Sequence, residues 1–174
     1  MKMDKVAGSG NDEFYTPYYA IEPLIKYLKS KGFANILCPF DTKDSRIYKK
    51  LIKEGFNVTQ SHLDDGMDFF DIDLTKYDCI VSNPPYSMKT EVLEKLFDSK
   101  VPFAMLLGVV GLFESKRRFN MFKNNSFEIM YLNKRVSYHT DFETEKTALN
   151  PPFSSVWLCS RVLNDRIVFE EIYK

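Results

Sequence analysis

Cys79-Ile80-Val81-Ser82-Asn83-Pro84-Pro85-Tyr86 is the stretch whose reading decides the fold. Its apolar start reads as the end of a buried strand, Tyr77 to Ser82. The segment after it, Thr90 to Ser99, carries Val92, Leu93, Leu96 and Phe97 at helical spacing. The tetrapeptide Asn83-Pro84-Pro85-Tyr86 therefore stands at the carboxyl end of a strand, where open α/β sheets place their ligands. Asn83 offers a carbonyl acceptor and an amide donor. Two prolines remove two N–H groups and take the segment out of any ladder, which leaves the Pro84 carbonyl to face a ligand. Tyr86 adds an aromatic face for a flat ring or a cation. The plainer alternative is a proline-rich turn, or a Pro-Pro-x-Tyr-like peptide for a groove-binding domain.

Working outward, Ala34 to Phe40 reads as a first strand. Asp41 to Ser45 opens a helix with Ile47, Leu51 and Ile52 on one side, stopped by Gly55. Asn57 to His62 reads as a second strand, and Phe103 to Val110 as a fully buried one. Glu114 to Asn124 is a basic helix anchored by Phe119 and Phe122. Phe127 to Leu132, Val136 to Tyr138 and Ser155 to Ser160 read as strands, and Ile167 to Ile172 as a strand or helical turn. Upstream, Thr16 as N-cap and Pro17 as first helical residue open a helix with Ile21, Leu24, Ile25 and Leu28 on one face, stopped at Gly32. Pro23 is the weak point of that helix. Strands alternate with helices and then end in strand-rich sequence. The expectation is an α/β fold with a mostly parallel, seven-stranded sheet flanked by helices, one strand reversed. A flexible tail, residues 1–12, precedes a single domain over 13–174. His139 to Asn150 reads as a mobile rim loop with His139 at the surface.

Composition sets the class. The chain has 174 residues, 44% hydrophobic and 15% aromatic, which excludes a disordered chain. No apolar run approaches the ~20 residues that span a bilayer, and the polar start carries no signal peptide. Cys38, Cys79 and Cys159 are far apart in strand-like runs, as free thiols in a reducing cytoplasm would be. Formal charge is zero, but residues 100–135 hold seven Lys/Arg against two Asp/Glu. Lys116, Arg117, Arg118, Lys123, Lys134 and Arg135 are thus candidates to neutralise phosphates, or else a solvated helix face. His62 with Asp64 and Asp65 is too sparse a set for a metal.

Asn-Pro-Pro-Tyr after a hydrophobic strand resembles the catalytic motif of class I S-adenosylmethionine-dependent amino-methyltransferases. The likeness is to those acting on adenine N6, including small phage and mobile-element types. The resemblance covers residues 13 to about 160 and implies a Rossmann-like class I methyltransferase fold with S-adenosyl-L-methionine as cofactor. Phe14-Tyr15-Thr16-Pro17 is similar to the family's N-terminal cofactor motif, which implies Tyr15 and Thr16 near the methionine end. Cys38-Pro39-Phe40-Asp41-Thr42-Lys43-Asp44 is similar to the family's Asp-Pro-Phe-x-Gly-x-Gly loop. Pro39 and Phe40 match it; Cys38 replaces the acid, and Thr42 and Asp44 replace both glycines. The loop must run differently, and Asp41 or Asp44 is then available for the cofactor's ammonium group. Gly66 to Phe70 resembles the adenine-binding segment, which implies Asp68 on the adenine amine and Phe69 on its ring. Asn150-Pro151-Pro152-Phe153, ahead of its strand, reads as a wall of the target pocket.

The resemblance implies methyl transfer to an exocyclic amine, with Asn83 and Pro84 accepting its protons and Tyr86 stacking on the base. A duplex target would be flipped out. Pro85, Lys116, Arg117, Arg118, Lys134, Arg135 and Phe153 are the expected substrate contacts. DNA is preferred to RNA as partner. The same tetrapeptide is similar to that of protein glutamine and ribosomal guanine methyltransferases. A small-molecule methyltransferase, and a degenerate fold that binds without turnover, are the remaining alternatives.

Overall fold

A computed structural model describes residues 14–143, 145 and 150–174; the expected tail lies outside these. The elements are α1 (Tyr18–Ser30), β1 (Asn35–Pro39), α2 (Arg46–Lys53), β2 (Asn57–Ser61), β3 (Cys79–Ser82), α3 (Lys89–Ser99), β4 (Phe103–Gly108), α4 (Lys116–Asn124), β5 (Glu128–Leu132), β6 (Ser155–Ser160) and β7 (Ile167–Glu170). All seven strands join one sheet in the order β2-β1-β3-β4-β6-β5-β7. The sheet is mixed, which corrects the mostly parallel expectation. Four neighbouring pairs are parallel, while β6 runs antiparallel to both β4 and β5.

The alternation of side chains along each strand builds two cores. Ile36, Cys38, Cys79, Val81, Ala104, Leu106, Trp157 and Cys159 face one layer, with α1 and α2. Leu37, Ile80, Phe103, Met105, Leu107, Val156 and Leu158 face the other, with α3 and α4. Both faces being covered explains why β3, β4 and β6 read as continuous apolar runs. Trp157 ties the layers by donating from Nε1 to the Ala20 carbonyl at 2.9 Å.

Three local expectations change. Thr16 does not cap α1; the N-cap is Pro17, with no side-chain bond, and the Thr16 hydroxyl serves elsewhere. Val136 to Tyr138 is not a strand, because the Tyr19 hydroxyl takes both the Ser137 N–H (2.8 Å) and its carbonyl (3.1 Å). In α4 the anchors are Met121 and Phe122, while Phe119 is 59% exposed. Pro23 is accommodated inside α1 and buried.

Chain order runs from β1 to β2 on one side, then crosses back to β3 on the other. The crevice at the carboxyl ends of β1 and β3 is therefore a topological switch point, where such sheets bind ligands.

Candidate active site at the switch point

Asn83 follows β3 directly. Its Nδ2 donates to the Phe14 carbonyl at 2.7 Å and lies 3.2 Å from Thr16 Oγ1. A backbone carbonyl only accepts, so the amide group has one possible orientation. Oδ1 is turned the other way, buried and without a partner. A buried amide oxygen left unpaired costs about 1–3 kcal/mol, and such an atom is an acceptor held ready for a donor.

A cavity of about 270 Å³ opens beside it. Its walls come from the carboxyl ends of three strands: Phe40, Asp41 and Thr42 after β1, His62 and Asp64 after β2, and Asn83 and Pro85 after β3. Tyr15, Thr16, Arg46 and Phe142 are among the remaining wall residues. The cover is tied down by hydrogen bonds. The Arg46 guanidinium, itself buried, donates to the carbonyls of Asp141 (3.0 Å) and Phe142 (3.2 Å). The Phe142 ring meets Tyr15 edge-on at 4.3 Å. Tyr15 and His139 exchange backbone hydrogen bonds. His139 is consequently buried, which corrects its expected surface position.

The loop after β1 solves its missing glycines in an unforeseen way. Phe40 itself takes the left-handed conformation, φ 67°, which costs a bulky residue about 1–3 kcal/mol. Its ring packs on Phe69 at 5.0 Å. The turn sends Asp41 inward. Ser82 Oγ lies 2.7 Å from Asp41 Oδ2 and also within bonding distance of the Pro39 carbonyl. A hydroxyl carries one proton, so two pure acceptors cannot both receive it. A protonated Asp41 resolves this: it donates to Ser82, which donates to Pro39. Burial pushes Asp41 up from 3.8 to about 7, against the opposing pull of Ser45, Ser82 and His62.

On the other side of Asn83, Tyr86 belongs to an aromatic cluster. Its ring lies 4.8 Å from Phe14 and 5.7 Å from Phe153. The buried Tyr138 hydroxyl meets Ser155 Oγ at 2.7 Å and also bonds Tyr86; burial pushes the Tyr138 phenol up to about 12. The Phe153 ring packs against Gly108 at the end of β4, where a Cβ would come 2.7 Å from it.

Tyr15, Thr16, Phe40, Asp41, Asn83 and Pro85 thus converge on the cavity, with Pro39, Pro84, Tyr86 and Phe153 packed behind or beside it. Asp68 and Phe69 do not line it. Asp68 caps a 3₁₀ turn by accepting from the Phe70 N–H at 2.9 Å. Phe69 is core, with the Lys95 ammonium 5.0 Å above its ring. Of the basic set, Arg117 is paired with Glu94 and Glu91. Arg118 spends its guanidinium on Thr90 Oγ1 and the carbonyls of Leu112 and Gly111. Lys116, Lys134 and Arg135 are exposed. Arg46 and Phe142 went unassigned in the sequence, since neither spacing nor motif marks them; Phe14, part of the motif-like Phe14-Tyr15-Thr16-Pro17, and His62, at the end of the expected second strand, also line the cavity. Lys89, half-buried at the start of α3, lies outside the cavity lining; burial and the nearby Arg118 lower its pKa. Among the described residues no group of three or more His, Cys, Asp or Glu is placed to hold a metal ion, and no helix is long and apolar enough to cross a membrane.

No family model matches this chain, and no curated protein is significantly similar to it in sequence.

Proposed function

We propose that the chain is an S-adenosylmethionine-dependent methyltransferase acting on an exocyclic amine, with adenine N6 in DNA as the favoured target. One observation carries this reading: the oriented, buried and unpartnered Asn83 Oδ1 beside a cavity at the switch point. An exocyclic amine is a weak nucleophile because its lone pair is delocalised into the ring. An acceptor aimed at its protons draws it toward tetrahedral geometry and stabilises the positive charge that develops. In this reading Asn83 Oδ1 and the Pro84 carbonyl are that pair, and Tyr86 fixes the base in plane.

The donor set fits the cofactor. Phe40 offers a flat apolar wall, and Asp41 a carboxyl group that a cationic ligand would ionise. Tyr15, Thr16 and Asn83 close the remaining side. The cofactor supplies an activated methyl group. The chain's own residues hold it, exclude water through the Arg46-tethered cover, and orient the amine.

A second reading, binding without turnover, draws support from Tyr86, whose ring lies between Phe14 and Phe153. Calorimetric titration of S-adenosylmethionine, followed by methylation of DNA and RNA substrates, separates the two. Micromolar binding with methyl transfer to adenine is the expected result. Binding of nucleic acid with no cofactor uptake at millimolar concentration would favour the second reading.

A further inference from the structure

The outer edge of β7 is uncovered: among the described residues β7 pairs with β5 alone. The N–H groups of Ile129 and Asn133, in and just after β5, donate to the carbonyls of Arg166 and Glu170. Backbone groups alternate in direction along a strand, so even-numbered residues bond β5. Ile167 and Phe169 turn their N–H and C=O groups outward. Their side chains share the sheet face of Ile129, yet Ile167 is 55% and Phe169 78% exposed. Phe169 stacks on the half-open ring of Tyr131 at 5.6 Å. β7 is short and ends on the charged Glu170, but it carries no proline, no lysine and no bulge.

We propose that this edge pairs antiparallel with β7 of a second copy of the chain, about a two-fold axis through Val168. The strand is complementary to itself in that register. Ile167 falls opposite the partner's Phe169, so the outward groups of both meet and four N–H···O bonds close. The Ile167 and Phe169 side chains become cross-strand apolar neighbours. Arg166 falls opposite the partner's Glu170, opposite charges on the same face, although within its own protomer the Glu170 carboxylate already meets the Lys26 ammonium at 2.6 Å and accepts from the Tyr27 hydroxyl; a shift of two residues in either direction loses the match. Asp165 and Glu171 oppose each other only beyond the strand ends. Isologous pairing of this kind is closed and makes a dimer rather than a fibre. Because β7 runs parallel to β3 within a protomer, the two cavities would open on opposite edges of the joined sheet. This inference is independent of the chemistry at the cavity.

Sedimentation equilibrium over the micromolar range tests it. The wild type is expected at twice the 20.4 kDa chain mass. Phe169→Pro removes an outward N–H and the exposed ring while leaving the bonds to β5, and should weaken the dimer roughly tenfold or more. Ile167→Lys, checked for native circular dichroism, is the second variant and should do the same. Hydrogen exchange should show the Ile167 and Phe169 amides protected in proportion to dimer. A wild type that stays monomeric at tens of micromolar, or a dimer undiminished in both variants, would overturn the proposal. So would protection of these amides in a monomer, which would mean that another segment of the same chain covers the edge.

Discussion

Asn83 divides its amide group: its nitrogen donates to the Phe14 carbonyl and lies against the Thr16 hydroxyl, and its oxygen is buried without a partner. Under the proposed function, Asn83→Ala should lower kcat for methyl transfer by about 10²–10³-fold, the usual cost of removing one aimed group. It should also raise the cofactor Kd several-fold, since the Phe14 carbonyl loses its donor. Steady-state kinetics with a titration of the variant reads both, and undiminished turnover would sink the assignment. Asp41 makes a second prediction. Its folded pKa, about 7, lies above its ordinary 3.8. The native state thus holds the extra proton between those values. Its contribution to stability is full at low pH, declines as pH rises through that window and is flat above it. Asp41→Asn keeps a donor toward Ser82 without the charge. It should be more stable than the wild type at pH 8, by a few kcal/mol at most, with a smaller advantage at pH 5 and none below about pH 4. Equal shifts at both pH values would argue against a protonated Asp41.

At the scale of elements, the end of β4 and the approach to β6 depend on one close contact. Gly108 leaves room for the Phe153 ring, which in turn flanks Tyr86. Gly108→Ala should displace that ring and destabilise the fold by about 1–3 kcal/mol. In a Phe153→Ala background the same change should cost nearly nothing. A double-mutant cycle by denaturant titration measures the coupling, and simple additivity would contradict the packing described. Helix α4 shows how a basic stretch divides its labour. Arg118 satisfies the carbonyls of the β4–α4 loop, so Arg118→Ala should unfold more easily by about 1.5–3 kcal/mol. Arg117, fully exposed in its pairs with Glu91 and Glu94, should be replaceable by Ala without a measurable shift in midpoint.

For the whole molecule, the direction of the strands places the ends of β1, β2, β3 and β5 along one edge of the sheet. Lys134 and Arg135, just after β5, therefore lie on the same edge as the cavity. If nucleic acid is bound across that edge, each exposed cation contributes one counterion to the salt dependence. Lys134→Ala and Arg135→Ala should each flatten the slope of log K against log salt by about 1. Arg117→Ala, whose charge is already matched by two glutamates, should leave it unchanged. Fluorescence anisotropy with a short oligonucleotide at several salt concentrations reads these slopes.

The linear sequence determined the elements. Apart from Val136 to Tyr138, which is not a strand, strand and helix positions came out within a few residues, because two covered sheet faces demand apolar runs and helices demand a periodic stripe. It also placed Asn83-Pro84-Pro85-Tyr86 at the end of a strand, since two prolines cannot lie within a ladder. What it could not carry was anything that depends on partners distant in the chain. Thr16 reads as a cap until Asn83, 67 residues away, takes its hydroxyl. His139 reads as a surface residue until its backbone meets Tyr15. Arg117 and Arg118 read as free cations until acceptors on α3 and the β4–α4 loop come within reach. Asp68 fits an expected motif, yet its side chain is satisfied by an amide two residues on and never reaches the cavity. The mixed sheet and the left-handed turn at Phe40 were likewise settled only in three dimensions. Hydrophobic pattern records how much of a residue is buried; the tertiary structure alone decides against which partner.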